Sequence, residues 1–433
     1  YHRMIFTAAA LVSERYGADL NGIKNRGYEV FRNVIRDTIQ KSLEDNKKQN
    51  MKLDILMEVY IDIKMNIVEN KEAINDFIDC VIEISDSVNS DNWNGEDVMG
   101  IFFNEFNRYK KKSESGQVFT PDHITSLMYK ILEVNANDKI LDAACGSGAF
   151  LVKSMSNMIK EVGGINTKEA KKIKEHSLFG IEFDREIFAL ACANMMIHKD
   201  GKTNLEQLDS RDKEASEWIK SKGITKVLMN PPFERKYGCK KIVENVLNSV
   251  PSGIKCAFIM PEKKMEKDKM GKLLEKHHLE AIIKLPEKLF DAGVTTSIYV
   301  FETGKKQVGE IYGCYIEDDG LERVKNQGRQ DIKDKWMELE NYWVDSIRKR
   351  NDTKYGTSQW IDPKKFLSYQ KPKAEFVLYE EDFVKTMMNY LMFKNKIDVK
   401  EFSDKLINKT LYNSEILKED NNIVIKIKDA EDE

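Results

Sequence analysis

The run Asn230-Pro231-Pro232-Phe233 holds the residue types that most directly imply chemistry. Two consecutive prolines fix φ and remove two N–H donors, so the carbonyls around them remain free to accept. Asn230 adds a side-chain carbonyl and Phe233 a flat π-face. Together they make a holder for a planar ring bearing an amino group: the amine donates to the Asn230 side chain and the Pro231 carbonyl while the ring stacks on Phe233. Stacking of this kind contributes ~1–3 kcal/mol per base. The bare tetrapeptide can also be read as a rigid turn. Its place after an apolar run and downstream of a glycine loop favours the holder.

That loop is Leu141-Asp142-Ala143-Ala144-Cys145-Gly146-Ser147-Gly148-Ala149-Phe150. Glycines between a strand and a helix let backbone N–H groups approach a ligand with no Cβ in the way. The spacing is not the G-x-G-x-x-G of a pyrophosphate binder, because Leu151 stands where the third glycine would be. Asp142 would repel a phosphate yet suits an ammonium or a hydroxyl, so the loop prefers a zwitterionic nucleoside to a dinucleotide. Glu182, in Gly180-Ile181-Glu182-Phe183-Asp184, is placed to accept from ribose hydroxyls, Phe183 to flank an adenine ring, and Asp209 to accept from an exocyclic amine. Singly, each acid reads equally as a helix N-cap or a solvated loop residue. On three successive strand ends, one nucleoside explains them better.

The elements that must position these residues follow from the apolar pattern. Strands are expected at Lys139–Ala144, Leu178–Phe183, Thr203–Leu208, Lys226–Asn230, Cys256–Met260, Ala281–Leu285 and Ser297–Phe301, with one more within Glu310–Glu317. Helices at Ala149–Met158 and Glu186–Ile197 separate the first three. Strands alternating with helices imply an α/β architecture, a largely parallel sheet covered on both faces, which binds ligands at the carboxyl ends of its strands. No proline precedes Pro121, and Phe31, Val34, Ile35, Ile39 and Leu43 form one helical stripe, Val98, Ile101, Phe102, Phe106 and Tyr109 another. Residues 1–110 therefore read as an N-terminal helical domain. Lys110 to Gly116 reads as an exposed hinge. The catalytic domain spans 111–318, and 319–433 is a mostly helical extension, with a helix from Phe376 to Phe393, that suits a partner-binding role.

Composition sets outer bounds. A chain of 433 residues implies two or three domains at roughly 150 residues each. Its 69 Lys+Arg and 72 Asp+Glu leave a net charge of −3, which neither demands nor excludes nucleic acid. The longest apolar run, Ile187 to Ile197, is too short for a bilayer span of about 20 residues. No signal peptide is visible; the chain begins at Tyr1 rather than Met, which leaves open a natural N-terminus upstream. Six cysteines with no C-x-x-C pair, and six histidines, exclude a disulfide scaffold and a zinc ribbon and fit a reducing cytoplasm; no metal is expected.

With both loops read, the chain resembles S-adenosylmethionine-dependent adenine-N6 DNA methyltransferases, and more closely the modification subunits of type I restriction–modification systems. The resemblance covers roughly 95 to 303. Gly116-Gln117-Val118-Phe119-Thr120-Pro121 is similar to the family's G-x-x-[FY]-T-P element, Asp142 to Gly148 to its cofactor loop, and Asn230 to Phe233 to its N-P-P-[YF]. The helix from Glu96 to Phe103 resembles the one that leads into G-x-x-[FY]-T-P, and Leu289-Phe290 with Thr295-Thr296-Ser297 resembles the late region lining the target-base pocket. The resemblance implies a Rossmann-like methyltransferase sheet, S-adenosylmethionine bound by Gln117, Phe119, Thr120, Asp142, Ala144, Gly146, Gly148, Glu182, Phe183 and Asp209, and methyl transfer to a flipped-out adenine at Asn230, Pro231, Pro232 and Phe233. It also implies double-stranded DNA and separate specificity and restriction subunits as partners. Arg235, Lys236, Lys240, Lys263 and Lys264 follow the strands that border the site and are expected to meet DNA. The stretch between Phe233 and Cys256 is shorter than in type I subunits, which leaves open an orphan or phage-borne methylase. N-P-P-[YF] also serves RNA and protein methyltransferases, and a non-catalytic DNA-binding subunit is a further alternative, which the intact set of acids opposes.

Overall fold

The computed structural model describes residues 2–45, 50–63, 70–88, 98–99, 101–102, 120–198, 204–233, 238–265, 271–287, 289–290, 294–324, 328–372, 378–412, 414–419 and 422–427. The chain divides into two compact units, Tyr1–Gln370 and Lys371–Glu433. The first opens with four helices, α1 (His2–Arg15), α2 (Tyr28–Asp45), α3 (Asn50–Ile61) and α4 (Lys71–Val88). Phe31, Ile35 and Ile39 of the first stripe are buried, as their spacing on α2 requires. Of the second stripe, Val98 is buried, while Phe106 and Tyr109 lie outside the described residues.

After α5 (Asp122–Ile131) the chain alternates: β1 (Ile140–Asp142), α6 (Ala149–Glu161), α7 (Lys168–His176), β2 (Leu178–Ile181), α8 (Arg185–Ile197), β3 (Asn204–Glu206), α9 (Lys213–Lys220), β4 (Lys226–Met229), α10 (Cys239–Ser249) and β5 (Lys255–Pro261). Two short helices, α11 (Glu262–Met265) and α12 (Gly271–Leu274), lead to β6 (His278–Lys284), β7 (Thr296–Glu302) and β8 (Ile311–Tyr315). A small hairpin of β9 (Glu322–Val324) and β10 (Gly328–Gln330), helix α13 (Trp336–Lys349) and β11 (Ser358–Ile361) complete the first unit.

Nine strands form one sheet in the order β11-β8-β6-β7-β5-β4-β1-β2-β3. From β3 to β5 every pair is parallel. β7 then runs antiparallel between β5 and β6, β8 is parallel to β6, and β11 closes the edge antiparallel to β8. The expected strands are all present; those in the sheet interior, covered on both faces, read as nearly unbroken apolar runs, while β3 at the edge is half-buried. Along β5 the side chains alternate between two cores: Cys256, Phe258 and Met260 enter one, Ala257 and Ile259 the other. β11 carries no such run; it is a short edge strand whose Trp360 meets Tyr312 edge-on at 5.7 Å.

Helix α8 explains the long apolar run. Every residue from Ile187 to Ile197 is buried, because α1 and α3 pack on this helix within the same core that covers the sheet. Two cations meet its C-terminal end: Arg15 Nε donates to the Ile197 carbonyl at 2.7 Å and Lys174 Nζ to that of His198 at 3.1 Å. No helix among the described residues is long and apolar enough to cross a membrane. The second unit contains α14 (Glu380–Lys394), α15 (Val399–Tyr412) and a hairpin of β12 (Ser414–Glu419) and β13 (Asn422–Ile427).

Gly180, within β2, lies against the glycine loop. A Cβ there would stand 2.4 Å from Leu205 Cδ2, 2.9 Å from Leu151 Cδ1 and 3.2 Å from Cys145 Sγ. Gly180→Ala should therefore lower stability by ~1–3 kcal/mol through overpacking, read by urea denaturation; an unchanged midpoint would show that this layer can expand.

Candidate active site

The parallel strands end in an open crevice. Strand order reverses at β1, which pairs with β2 on one side and β4 on the other. Ligand sites of open α/β sheets lie at such a switch point. Asp142 closes β1, Glu182 follows β2, Asp209 follows β3 and Asn230 follows β4, and all four border the crevice. Thr120, Ala144, Gly146 and Phe183 border it too. Gly148 lies in the same loop, while Gln117 and Phe119 fall outside the described residues.

The loop owes its shape to Gly146 and Gly148, at φ 55° and 93°, a backbone region that disfavours a Cβ. A Cβ on Gly146 would meet nothing within 4 Å, so a side chain there would project into open space. Cys145 N donates to the Ile181 carbonyl at 2.9 Å, and Gly148 N to that of Cys145 at 2.7 Å. Asn194, from within α8, donates its Nδ2 to the Ser147 carbonyl at 2.9 Å, and Ser210 donates its hydroxyl to the Ala143 carbonyl. Neither Asn194 nor Ser210 emerged from the motifs; the signal for Asn194 was a lone amide in an otherwise apolar helix.

Asp142 is only 1% exposed, and burial pushes its carboxyl up to about 8. The Ala144 N–H, which donates to Oδ1 at 3.1 Å, opposes this shift, and the charge of Glu182 adds to it. Glu182 is also raised by burial, although Gly146 N and Asp184 N donate to its two oxygens at 3.0 and 2.9 Å. Those bonds make Glu182 a brace of the glycine loop as well as an acceptor facing the crevice. Asp184 serves as the N-cap of α8, accepting from Glu186 N at 3.0 Å and Ile187 N at 3.1 Å.

Asp209 is held below the usual carboxylate range by hydrogen bonds from Arg211, whose backbone N and Nε donate at 2.9 and 2.8 Å. The same guanidinium lies 5.9 Å from the centre of the Phe183 ring, which is 57% exposed. Arg211 thus spans the two groups between which an adenine was expected.

Asn230 donates its Nδ2 to Thr120 Oγ1 at 2.9 Å. Its Oδ1 is buried and has no hydrogen-bond partner among the described residues. An acceptor kept without a donor costs ~1–3 kcal/mol, so the site is built to receive a donor there. Pro232 borders the crevice, while Pro231 is buried and Phe233 packs edge-on against Phe290 at 5.4 Å. Lys264 Nζ donates to the Phe233 carbonyl, bracing the tetrapeptide from α11. Of the other expected DNA contacts, Lys263 is exposed, Lys240 lies 3.4 Å from Glu244, and Arg235 and Lys236 fall outside the described residues. Ser297, from the expected target-base region, donates to Glu262 at 2.8 Å, and Glu262 also pairs with the buried Lys284 at 3.3 Å.

Residues 94–252 match the family model described as N-6 DNA Methylase. The chain resembles that family. The match bears out the resemblance carried by Asp142 to Gly148 and Asn230 to Phe233. The Type II restriction enzyme and methyltransferase RM.BcgI of Heyndrickxia coagulans is 30% identical over 340 residues, covering 72% of this chain and 51% of that protein. The Type I restriction enzyme EcoEI methylase subunit of Escherichia coli is 22% identical over 215 residues, 44% of this chain and 43% of its own length. The chain thus spans about half the length of these relatives. A modification subunit of a putative type I restriction enzyme from Vibrio vulnificus YJ016 superposes with a TM-score of 0.54 at 17% identity, over 74% of this chain and 70% of that one. The two chains therefore share a fold.

The raised carboxyl of Asp142 has a consequence for stability. A group with a raised folded-state pKa stabilises fully below its unfolded value of 3.8, and that contribution is lost as pH climbs through about 8. Glu182 shifts in the same direction. Asp142→Asn should therefore gain stability relative to the parent chain between pH 5 and pH 8, read by urea denaturation at both; a constant difference between the two proteins would contradict the burial of a titrating carboxyl here.

Proposed function

We propose that this chain is the modification subunit of a type I restriction–modification system, transferring a methyl group from S-adenosylmethionine to N6 of an adenine flipped out of duplex DNA. The observation that carries this reading is the buried Oδ1 of Asn230, which has no hydrogen-bond partner among the described residues and lies on the same crevice as Asp142 and Glu182. The glycine backbone and the two raised carboxyls suit a zwitterionic nucleoside: Asp142 would meet its positive end, Glu182 its ribose hydroxyls, and Phe183 its ring. Asp209 can accept from an exocyclic amine only when its bonds with Arg211 give way.

When bound, the cofactor supplies a methyl carbon on a sulfonium, a good leaving group. The obstacle is the N6 lone pair, which is delocalised into the ring. Asn230 and the Pro231 carbonyl would address it by accepting from the amine, favouring a pyramidal nitrogen with its lone pair turned toward the cofactor site; the proton the nitrogen sheds on methylation would pass to solvent. Holding the amine in that orientation would supply much of the acceleration. Flipping the base costs a few kcal/mol, offset in part by stacking on Phe233. Arg235, Lys236, Lys240 and Lys263 would meet phosphates, and Lys264 would do so alongside its bond to the Phe233 carbonyl. The division into 1–110, 111–318 and 319–433 would assign scaffold, chemistry and partner contact to successive segments, with a specificity subunit supplying sequence recognition. The identity with a combined type II restriction enzyme and methyltransferase favours a second reading, a type II arrangement. Sequencing of modified adenines in cells expressing this chain with and without its neighbouring genes separates the two.

Asn230→Ala should abolish methyl transfer to DNA while S-adenosylmethionine still binds in a calorimetric titration; surviving turnover would refute the amine holder. Asp142→Ala should instead weaken cofactor binding, and parental affinity would remove it from the cofactor site.

A further inference from the structure

The amide of Asn230 has two ends of nearly equal size and opposite hydrogen-bond character. Its shape alone does not decide which end faces the crevice, yet the chemistry proposed above depends on that choice. An oxygen accepts from the amine to be methylated, whereas an NH2 group would set donor against donor. Some neighbour must select the orientation. Among the described residues the hydrogen-bond partner of this side chain is Thr120, whose Oγ1 accepts from Nδ2 at 2.9 Å.

Thr120 is well placed to be a fixed reference. Pro121 follows it at the N-cap of α5, and Ile124, Leu127 and Met128 bury that helix against the core. Asp122 pairs at 2.8 Å with Lys153, a buried lysine of α6, the helix that leaves the glycine loop. His123 Nε2 lies 3.3 Å from the fully buried Asp319, and its ring meets Trp336 edge-on at 4.9 Å. Two successive side chains thus pin the start of α5 to α6 on one side and to the segment beyond β8 on the other. Thr120 also borders the crevice, so its hydroxyl proton can go to an acceptor on a bound ligand, which leaves its lone pairs to Asn230.

We propose that Thr120 is a positioning residue that sets the amide of Asn230 with its oxygen toward the amine to be methylated. The inference rests on the methyltransferase reading of the site and assigns Thr120 a duty beyond cofactor contact. It is tested with the full chain, together with any partner subunit it needs, as Thr120→Val, which keeps the side-chain shape and loses the hydroxyl, and Thr120→Ser, which keeps the hydroxyl. Rates of methyl transfer at saturating cofactor and DNA are compared with calorimetric Kd values for S-adenosylmethionine, and denaturation midpoints verify folding. Thr120→Val should lower kcat about tenfold, the value of one net hydrogen bond of ~1.4 kcal/mol, with a smaller rise in Kd, and Thr120→Ser should restore most of the rate. A parental kcat in Thr120→Val, or a loss confined to Kd, would overturn the inference, as would a serine variant no faster than the valine one. A parent chain that neither binds S-adenosylmethionine nor methylates adenine would overturn the methyltransferase reading itself, and this inference with it.

Discussion

Two acceptors kept out of water with few donors among the described residues set the terms for this molecule: the carboxyl of Asp142 at the tip of a central strand, and the amide oxygen of Asn230 just beyond the strand beside it. Each opposes folding, since a desolvated acceptor has lost its water and gained little in return. They are retained because parallel strands that diverge at a reversal of order leave a gap which backbone alone does not fill. The surrounding structure keeps that gap open. Glu182 spans from β2 to the Gly146 N–H, Asn194 reaches from α8 to the Ser147 carbonyl, and Ser210 reaches the Ala143 carbonyl, so three elements hold one loop away from the cavity it borders.

The helices ahead of the sheet take part in this support. α1 and α3 cover the face of α8 that points away from the strands, and without them the apolar run from Ile187 to Ile197 would meet water. Because Asn194 sits in that run, the packing of the first helices bears on the position of the glycine loop. Architecture and chemistry are therefore linked through one buried helix.

Much of the site was legible because its motifs are local. Asp142 to Gly148 and Asn230 to Phe233 are contiguous, and each lies at the end of a strand that double burial makes mostly apolar, so motif and element could be read together. Long-range partners were not legible. Thr120 and Asn230 are 110 residues apart, and no periodicity links them. Arg211 lies two residues from Asp209, but its position over Phe183 depends on how β2 and β3 pair. The pairing of Glu262 with Lys284 and Ser297 follows from β7 entering the sheet between β5 and β6, an order that short apolar strands do not reveal.

Residue order alone established the α/β class, the succession of strands and helices, and which strand tips carry acids, amide and glycines, because burial on two faces and backbone freedom leave marks within a few residues. Only the folded chain settled which of those tips adjoin, where Arg211 rests, and which side chain the Asn230 amide bonds. Those outcomes arise from the lateral ordering of strands and from desolvation, which depend on contacts between residues far apart along the chain.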